Sequence, residues 1–384
     1  MSEYAIALIR EEQIAETHTL MSRCFEAKLA SIFYLHPETT LVVTYQAKVV
    51  AGINLEVYQV NSQVRMGYIG WLYTDKDHRG KALAGRLLGE AITFLKEQGC
   101  TSLSACVEGD NPASFKQLAN QGFSILSLWQ QLKLFRLGTV KVYHRASRFF
   151  DMGYFLWYRS LTGKSIKQSK GGMKPLARTL LGNTLLFFFC LKGWNLLNLT
   201  GLYPLGPAFS SLTTLQLIPL LVFPSLFLLV RTGAMALLAT AEGKRGDKTV
   251  RAITKTKGNE GKEVIYRGWD TAWILAILLT VTIGFPFPVP GNVYIKGTKW
   301  NLQEKEHLLA RMSIAGQVAV ALICLFASKW IPLLFGLSLL ALDGFFFSYP
   351  FCGFNASRVK RLGTKTYGLY LAITLAVMLL LLVY

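Results

Sequence analysis

Six long apolar runs, at residues 179–199, 212–237, 269–289, 312–328, 330–350 and 366–384, constrain this chain of 384 residues more than any other feature. Each comes close to the roughly 20 residues that a helix needs to cross a hydrocarbon core. Inside a bilayer the backbone has no water to bond, so such runs fold as helices. One run alone would be readable as a buried helix of a soluble protein. Six in succession imply a polytopic α-helical transmembrane domain over 179–384, with five or six helices. Trp194, Trp269, Trp273 and Trp330 fall near run ends or interfaces, where indole rings suit the headgroup level.

Charge divides the chain at the same place. Residues 1–150 hold 16 Lys and Arg against 13 Asp and Glu, whereas 151–384 hold 25 against 9, so nearly all of the net +19 belongs to the second half. These cations sit in blocks between apolar runs, as in the cytoplasmic loops of membrane proteins, and no nucleic-acid partner is expected. The stretch 141–178 places Lys141, Arg145, Arg148, Arg159, Lys164, Lys167, Lys170, Lys174 and Arg178 among Phe149, Phe150, Tyr154, Phe155, Trp157 and Tyr158. Residues 146–178 therefore read as a basic, aromatic linker lying on the anionic inner leaflet. With this stretch and the basic segment 244–267 inside, 290–311 falls outside. If six helices span, the loop Arg358-Val-Lys-Arg361 also lies outside, against the positive-inside rule; if one of the runs 312–328 and 330–350 is re-entrant, or the two form one bent span, it returns inside and five remain. Both counts stay open, as does the oligomeric state.

Ions within apolar runs are expensive and often functional. Lys192, Arg231, Asp270, Lys329 and Asp343 are of this kind, and Asp343, central in its run, is the candidate partner for a cation or a substrate amine. Six scattered cysteines and five dispersed histidines form no metal spacing, and no metal is expected. Met1-Ser-Glu-Tyr opens without a secretory pattern, so the N-terminal domain is expected in the cytoplasm of a multi-pass membrane protein.

That first domain reads as β-α-α-β-β-β-α-β-α-β. Tyr4–Arg10 alternates as a strand, Glu11–Phe25 and Ala27–Tyr34 are helical, and Thr40–Tyr45 and Val49–Val60 form a hairpin. Thr101–Val107 and Phe123–Lys133 read as strands, with Val140–Tyr143 a further short one, and Pro112–Asn120 as a helix. The key passage is Asp77-His-Arg-Gly-Lys-Ala-Leu-Ala-Gly-Arg-Leu-Leu88. It follows the strand Arg65–Tyr73 and opens a helix whose Leu83, Leu87, Leu88, Ala91, Ile92 and Leu95 recur at helical spacing. Unpaired amides in a helix's first turn, with the positive end of its dipole, favour an anion there. Neither GxxxxGK[ST] nor GxGxxG is present.

Arg79-Gly-Lys-Ala-Leu-Ala84 resembles the acetyl-CoA motif [RQ]xxGx[GA] of the GCN5-related N-acetyltransferase (GNAT) superfamily, with Ala82 where the family usually has Gly. Asn111-Pro-Ala-Ser114, leading to Gly122-Phe123, is similar to the family's second motif, NxxAxxxYxxxGF. The resemblance covers about residues 3–145 and implies an α/β GNAT domain over 1–145, a mixed and mostly antiparallel sheet with flanking helices, binding acetyl-CoA as co-substrate. It implies that Trp71, Leu72, Tyr73 and Thr74 flank the acyl group and pantetheine. The amides of Arg79, Gly80, Lys81, Ala82, Leu83 and Ala84 would hold the pyrophosphate, and Asn111 and Ser114 would face the cofactor from the other side.

The chain departs from the family where chemistry is concerned. The Tyr that often protonates the departing thiolate falls at Leu118, leaving Ser114, Tyr73 or water for that role. The strand Arg65–Tyr73 has no carboxylate, so Glu56, Glu108 and Asp110 are the candidate bases. The resulting expectation is a membrane-anchored N-acyltransferase acting on an amine at or near the inner leaflet, the amine being lipid-linked, a small molecule or part of a protein. The alternative is a transporter or scaffold whose GNAT domain binds acyl-CoA as a sensor without turnover.

Overall fold

The computed structural model describes residues 4–383 apart from 26, 149, 164, 165, 167, 170, 200–212, 246–263, 299 and 327–330. Phe149, Lys164, Lys167 and Lys170 of the expected linker, the cations from Lys248 to Lys262, and Lys329 and Trp330 lie outside the described residues. The chain divides into two units: 1–107, 113–149 and 155–169 form the first, and 108–112, 150–154 and 170–384 form the second.

In the first unit, β1 (Tyr4–Leu8), β2 (Thr40–Tyr45), β3 (Lys48–Asn61) and β4 (Val64–Thr74) run antiparallel to one another in that order. The β2–β3 hairpin closes on Gln46 and Ala47, both at positive φ, whose backbone twist suits a two-residue turn. β5 (Ser102–Glu108) pairs parallel to β4, and β7 (Tyr154–Ser160) and β6 (Ser124–Ile125) complete the sheet order β1-β2-β3-β4-β5-β7-β6. Helix α2 (Leu83–Glu97) packs against β2, β3 and β4 and buries Leu83, Leu87, Leu88, Ala91 and Leu95, as its spacing predicts. Two groups share the face of β3 and β4 that carries Asn54, Tyr58, Tyr68 and Tyr73. Leu20 and Met21 of α1 (Ile14–Cys24) cluster with Val42, Val49, Trp71 and Tyr73. Phe135 of α4 (Leu128–Phe135) and Val142 of α5 (Gly138–Arg145) cluster with Tyr58, Met66 and Tyr68. α3 (Pro112–Asn120) follows β5.

Four sequence expectations change here. Ala27–Ile32 is a 3-10 turn rather than an α-helix. The expected strand 123–133 ends after Ile125, because Ser127 and Gln130 form a reciprocal capping box that starts α4, and Val140–Tyr143 is helical within α5. The expected linker contains β7, whose Phe155, Leu156, Trp157 and Tyr158 are buried, with the Tyr158 hydroxyl 2.8 Å from Ser102 Oγ. Its aromatics belong to a sheet core rather than a membrane surface.

The second unit is helical: α6 (Met173–Leu191), α7 (Val222–Arg245), α8 (Ala272–Ile283), α9 (Leu302–Phe326), α10 (Ile331–Phe345), α11 (Asn355–Lys360) and α12 (Thr364–Val383). Among the described residues three helices are long and apolar enough to cross a membrane, over Leu215–Glu242, Leu302–Leu325 and Thr364–Val383. The run 269–289 yields only the 12 residues of α8, about 18 Å of helix against a hydrocarbon core of about 30 Å. Gly284 ends it at φ 72° and Pro286, Pro288 and Pro290 keep the chain extended. That extended piece leads into β9 (Asn292–Ile295), which pairs antiparallel with β8 (Val264–Arg267). Val293 is buried, and its carbonyl accepts from Arg358, which also pairs with Asp110. Segments 108–112, 292–295 and 355–361 thus meet in one place.

Candidate functional site

The site is built where β4 leaves its neighbours. Opposite β3, Asn54 pairs with Trp71 and Leu55 with Ile69, so Gly70 is an extra residue bulged out of the ladder. A side chain at Gly70 would strike the Tyr34 ring, which explains the glycine. Parallel pairing of β4 with β5 runs only from Met66–Ser102 to Ile69–Ala105. Past that point the strands continue to Thr74 and Glu108 without sharing a ladder. Main-chain groups on the β5-facing edge of Gly70–Thr74 are left for another partner, since buried amides and carbonyls need one.

The turn after β4 points amides in one direction. Asp75 accepts from the Asp77 amide at 3.2 Å and caps a 3-10 turn over Lys76–His78, and Arg79 Nε reaches the Thr74 carbonyl at 3.4 Å. Gly80 at φ 78° and Ala82 at φ 58° are left-handed on either side of Lys81. Such a concave stretch of backbone gathers N–H groups around an anion. The amides of Gly80 and Ala82 make no hydrogen bond among the described residues, and those of Leu83 and Ala84 fall in the unpaired first turn of α2. No atom lies within 4 Å of where a Gly80 side chain would start, so the turn is open. Ala82 is strained where a glycine would not be, by about 1 kcal/mol. Gln117 of α3 approaches to 3.1 Å of where a Cβ on Gly85 would stand, so it flanks the same helix start; nothing in its sequence context singles it out.

The expected site residues do not all point into this cleft. Trp71 packs between Phe25 and Phe33, with centroids 4.9 Å from each, so its backbone rather than its ring is on offer. Leu72 and Thr74 are half-buried on the same strand. The Tyr73 hydroxyl donates to Asn54 Oδ1 at 3.1 Å, and burial pushes its pKa up. Both effects suit a structural phenol better than a proton donor. The Lys81 ammonium donates to the Tyr4 hydroxyl at 2.8 Å and sits over the Tyr4 and Tyr45 rings. Asn111 and Ser114 are half-buried at the start of α3, and Leu118 is a core residue.

Three candidate carboxylates separate. Arg358 grips Asp110 at 2.7 and 3.0 Å, and Arg361 donates to Glu108 at 2.5 Å, all within the second unit. Burial raises the Glu108 pKa while Arg361 opposes it. Glu56 is different. It lies on β3 opposite Tyr68, with Tyr34, His36 and Arg145 in electrostatic reach, and burial raises its pKa against the pull of Arg145 and His36. Around it the buried Tyr34 hydroxyl engages the Glu56 carboxylate and the Tyr58 hydroxyl engages Ser104, so polar groups gather beside this acid inside the sheet face. Tyr34, Tyr58, Tyr68 and Ser104 were not singled out by sequence, and Arg145 was read only as one of the cations of the basic stretch 141–178. Tyr58 is two residues from Glu56 on one strand face, a visible signal, whereas Tyr34 and Arg145 arrive from distant segments.

At this place a parallel strand pair opens above the N-terminus of a helix. Residues 6–123 match the Acetyltransferase (GNAT) family, and the first unit has the GNAT fold; the helical unit is assigned to no family. Similar solved structures include the NatC complex bound to Gag peptide and CoA, at 18% identity over 41% of this chain and 98% of that one, TM-score 0.32. The PaiA N-acetyltransferase of Thermoplasma acidophilum with coenzyme A is 14% identical over 42% and 99%, TM-score 0.30. N-acetylglutamate synthase from Neisseria gonorrhoeae, complexed with coenzyme A and N-acetyl-glutamate, is 16% identical over 41% of this chain and 35% of its own, TM-score 0.31. No curated protein matches the chain.

Proposed function

We propose that the first unit transfers an acyl group, most simply acetyl, from acyl-CoA to an amine, and that the helical unit holds it at the inner leaflet, with the first unit in the cytoplasm. The observation that carries this reading is the sequence of parted strands, open turn and helix start from Gly70 to Ala84. The main-chain edge of Gly70–Thr74 would pair with the pantetheine amides, and the amides from Arg79 to Ala84 would hold the diphosphate. No metal-binding group of three or more His, Cys, Asp or Glu occurs among the described residues, and the proposed reaction uses none.

Glu56 would take a proton from the ammonium, directly or through one water, leaving a neutral amine. The amine nitrogen then attacks the thioester carbonyl. A β4 amide holds the oxyanion, and collapse breaks the C–S bond to give the amide and a thiolate. Ser114 or water would relay the surplus proton of the attacking nitrogen to that sulfur, since Leu118 has none to give and Tyr73 is bonded to Asn54. Confinement to the bilayer raises the effective concentration of a lipid-linked or membrane-borne amine.

Thiol release from acetyl-CoA with a panel of amines tests this, wild type beside Gly80→Glu. A carboxylate placed among the phosphate-facing amides is expected to weaken CoA binding by about a hundredfold or more. The buried Leu118 favours a second reading, in which the unit senses acyl-CoA without turnover. Binding of CoA with no thiol release for any amine would establish that one instead.

A further inference from the structure

Soluble surfaces scatter single apolar residues, but the first unit concentrates them. Among its described residues five large apolar side chains are exposed, and four of these, Trp129 (62%), Leu132 (41%), Leu137 (90%) and Val140 (61%), lie on the α4–α5 hairpin. Along α4, Trp129, Leu132, Lys133 and Arg136 fall at positions i, i+3, i+4 and i+7, one exposed stripe, while Gln131 and Phe135 are buried opposite. Along α5, Val140, Lys141, His144 and Arg145 are exposed and Thr139, Val142 and Tyr143 buried. The stripe therefore interleaves apolar groups with four cations, and no acidic residue occurs anywhere from 111 to 150.

We propose that the α4–α5 hairpin is an interfacial docking surface for an anionic bilayer. Its Trp129, Leu132, Leu137 and Val140 enter the headgroup boundary while Lys133, Arg136 and Lys141 meet lipid phosphates. Charge decides the occupant: protein interfaces deplete Lys at their cores, whereas mixed aromatic and cationic stripes match an anionic lipid surface. Lys133 Nζ stands 5.8 Å from the Trp129 ring centre, so stem and indole share one patch with the charge at its edge. The second unit, with three helices of membrane-spanning length and composition, keeps every copy of the chain beside a bilayer. The proposal rests on that membrane reading and is independent of turnover.

Amide exchange of the full chain, reconstituted in vesicles of phosphatidylcholine alone or mixed with phosphatidylglycerol, tests it. Exchange over 128–145 is expected to slow about tenfold with the anionic lipid, and high salt should abolish the difference. The double variant Trp129→Asp/Leu137→Asp should lose the slowing while β3 and β4 exchange as in wild type, since both side chains are exposed and their loss spares the core. Equal exchange in both vesicle types and in amphipol overturns the proposal. So does protection that grows with protein-to-lipid ratio regardless of lipid charge, which would make a second copy the occupant. Failure of the chain to float with vesicles would instead remove the membrane reading beneath it.

Discussion

Glu56 can be tested by opposite effects on catalysis and stability. Burial disfavours its anion, so it titrates higher folded than unfolded. The favourable contribution of its protonated form is complete below the unfolded pKa, about 4.3, and is lost as pH rises through the folded value. Glu56→Gln is therefore expected to raise Tm at neutral pH, measured by scanning calorimetry, and to flatten its decline across that window. The same change should lower kcat/KM by about 10²- to 10⁴-fold with CoA affinity unchanged. In wild type, kcat/KM should fall as pH drops through the raised pKa, an acid limb above the usual carboxylate range that the variant lacks. How legible was this site? The turn from Arg79 to Ala84 was readable because strand end, glycine and helix start are contiguous. Glu108 and Asp110 looked equivalent to Glu56 because the arginines that engage them, Arg361 and Arg358, lie about 250 residues further along the chain.

At the scale of elements, the bulge at Gly70 decides where β4 and β5 part. Gly70→Val would drive a branched side chain into Tyr34, and a cost of about 1–3 kcal/mol is expected in denaturant unfolding, with weaker CoA binding from the same protein. Gly80→Ala, where no neighbour stands within 4 Å, should cost less and only through its left-handed backbone, about 1 kcal/mol. Helix α2 and the β2–β3 hairpin were legible because their signals, a repeat of leucines and a short turn between β-rich runs, are local. α4 was misread because its apolar residues fit either period, and only the Ser127–Gln130 capping pair tips the choice. β7 was hidden because aromatic and basic residues suit a membrane surface as well as a strand; only its partners distinguish the two. The run 269–289 shows the reverse limit. Hydropathy measures length without seeing that Gly284, Pro286 and Pro288 turn the part after Ile283 into extended chain.

At the scale of the molecule, the helical unit is held by charges as well as by apolar packing. Asp343 accepts from Arg231 Nε at 2.5 Å and from its Nη2 at 2.8 Å, while Asn355 donates twice more to the same carboxylate, and both charged side chains are wholly buried. Arg231 also donates to the Gly291 carbonyl, tying α7 to the extended segment before β9. Asp343→Ala should strand a buried guanidinium and cost about 3–5 kcal/mol, seen as lost thermal stability in detergent. Arg231→Met with Asp343→Leu, which removes both charges, should recover much of that loss. Asp343 was picked out by sequence as an ion wanting a cation, but a pairing across 112 residues is invisible to periodicity.

The polypeptide changes unit at 108, 113, 150, 155 and 170, so it is stitched through the second unit twice before entering it for good. Cutting the thread once would free nothing. With a protease site inserted between Ser169 and Met173, the two fragments should still leave a size-exclusion column together until Arg358 and Arg361 are both replaced. A chain laced in this way is not a head on a disposable tether: truncation would strip Asp110 and Glu108 of their counter-ions, and the remaining piece would have to be redesigned before it could be studied alone.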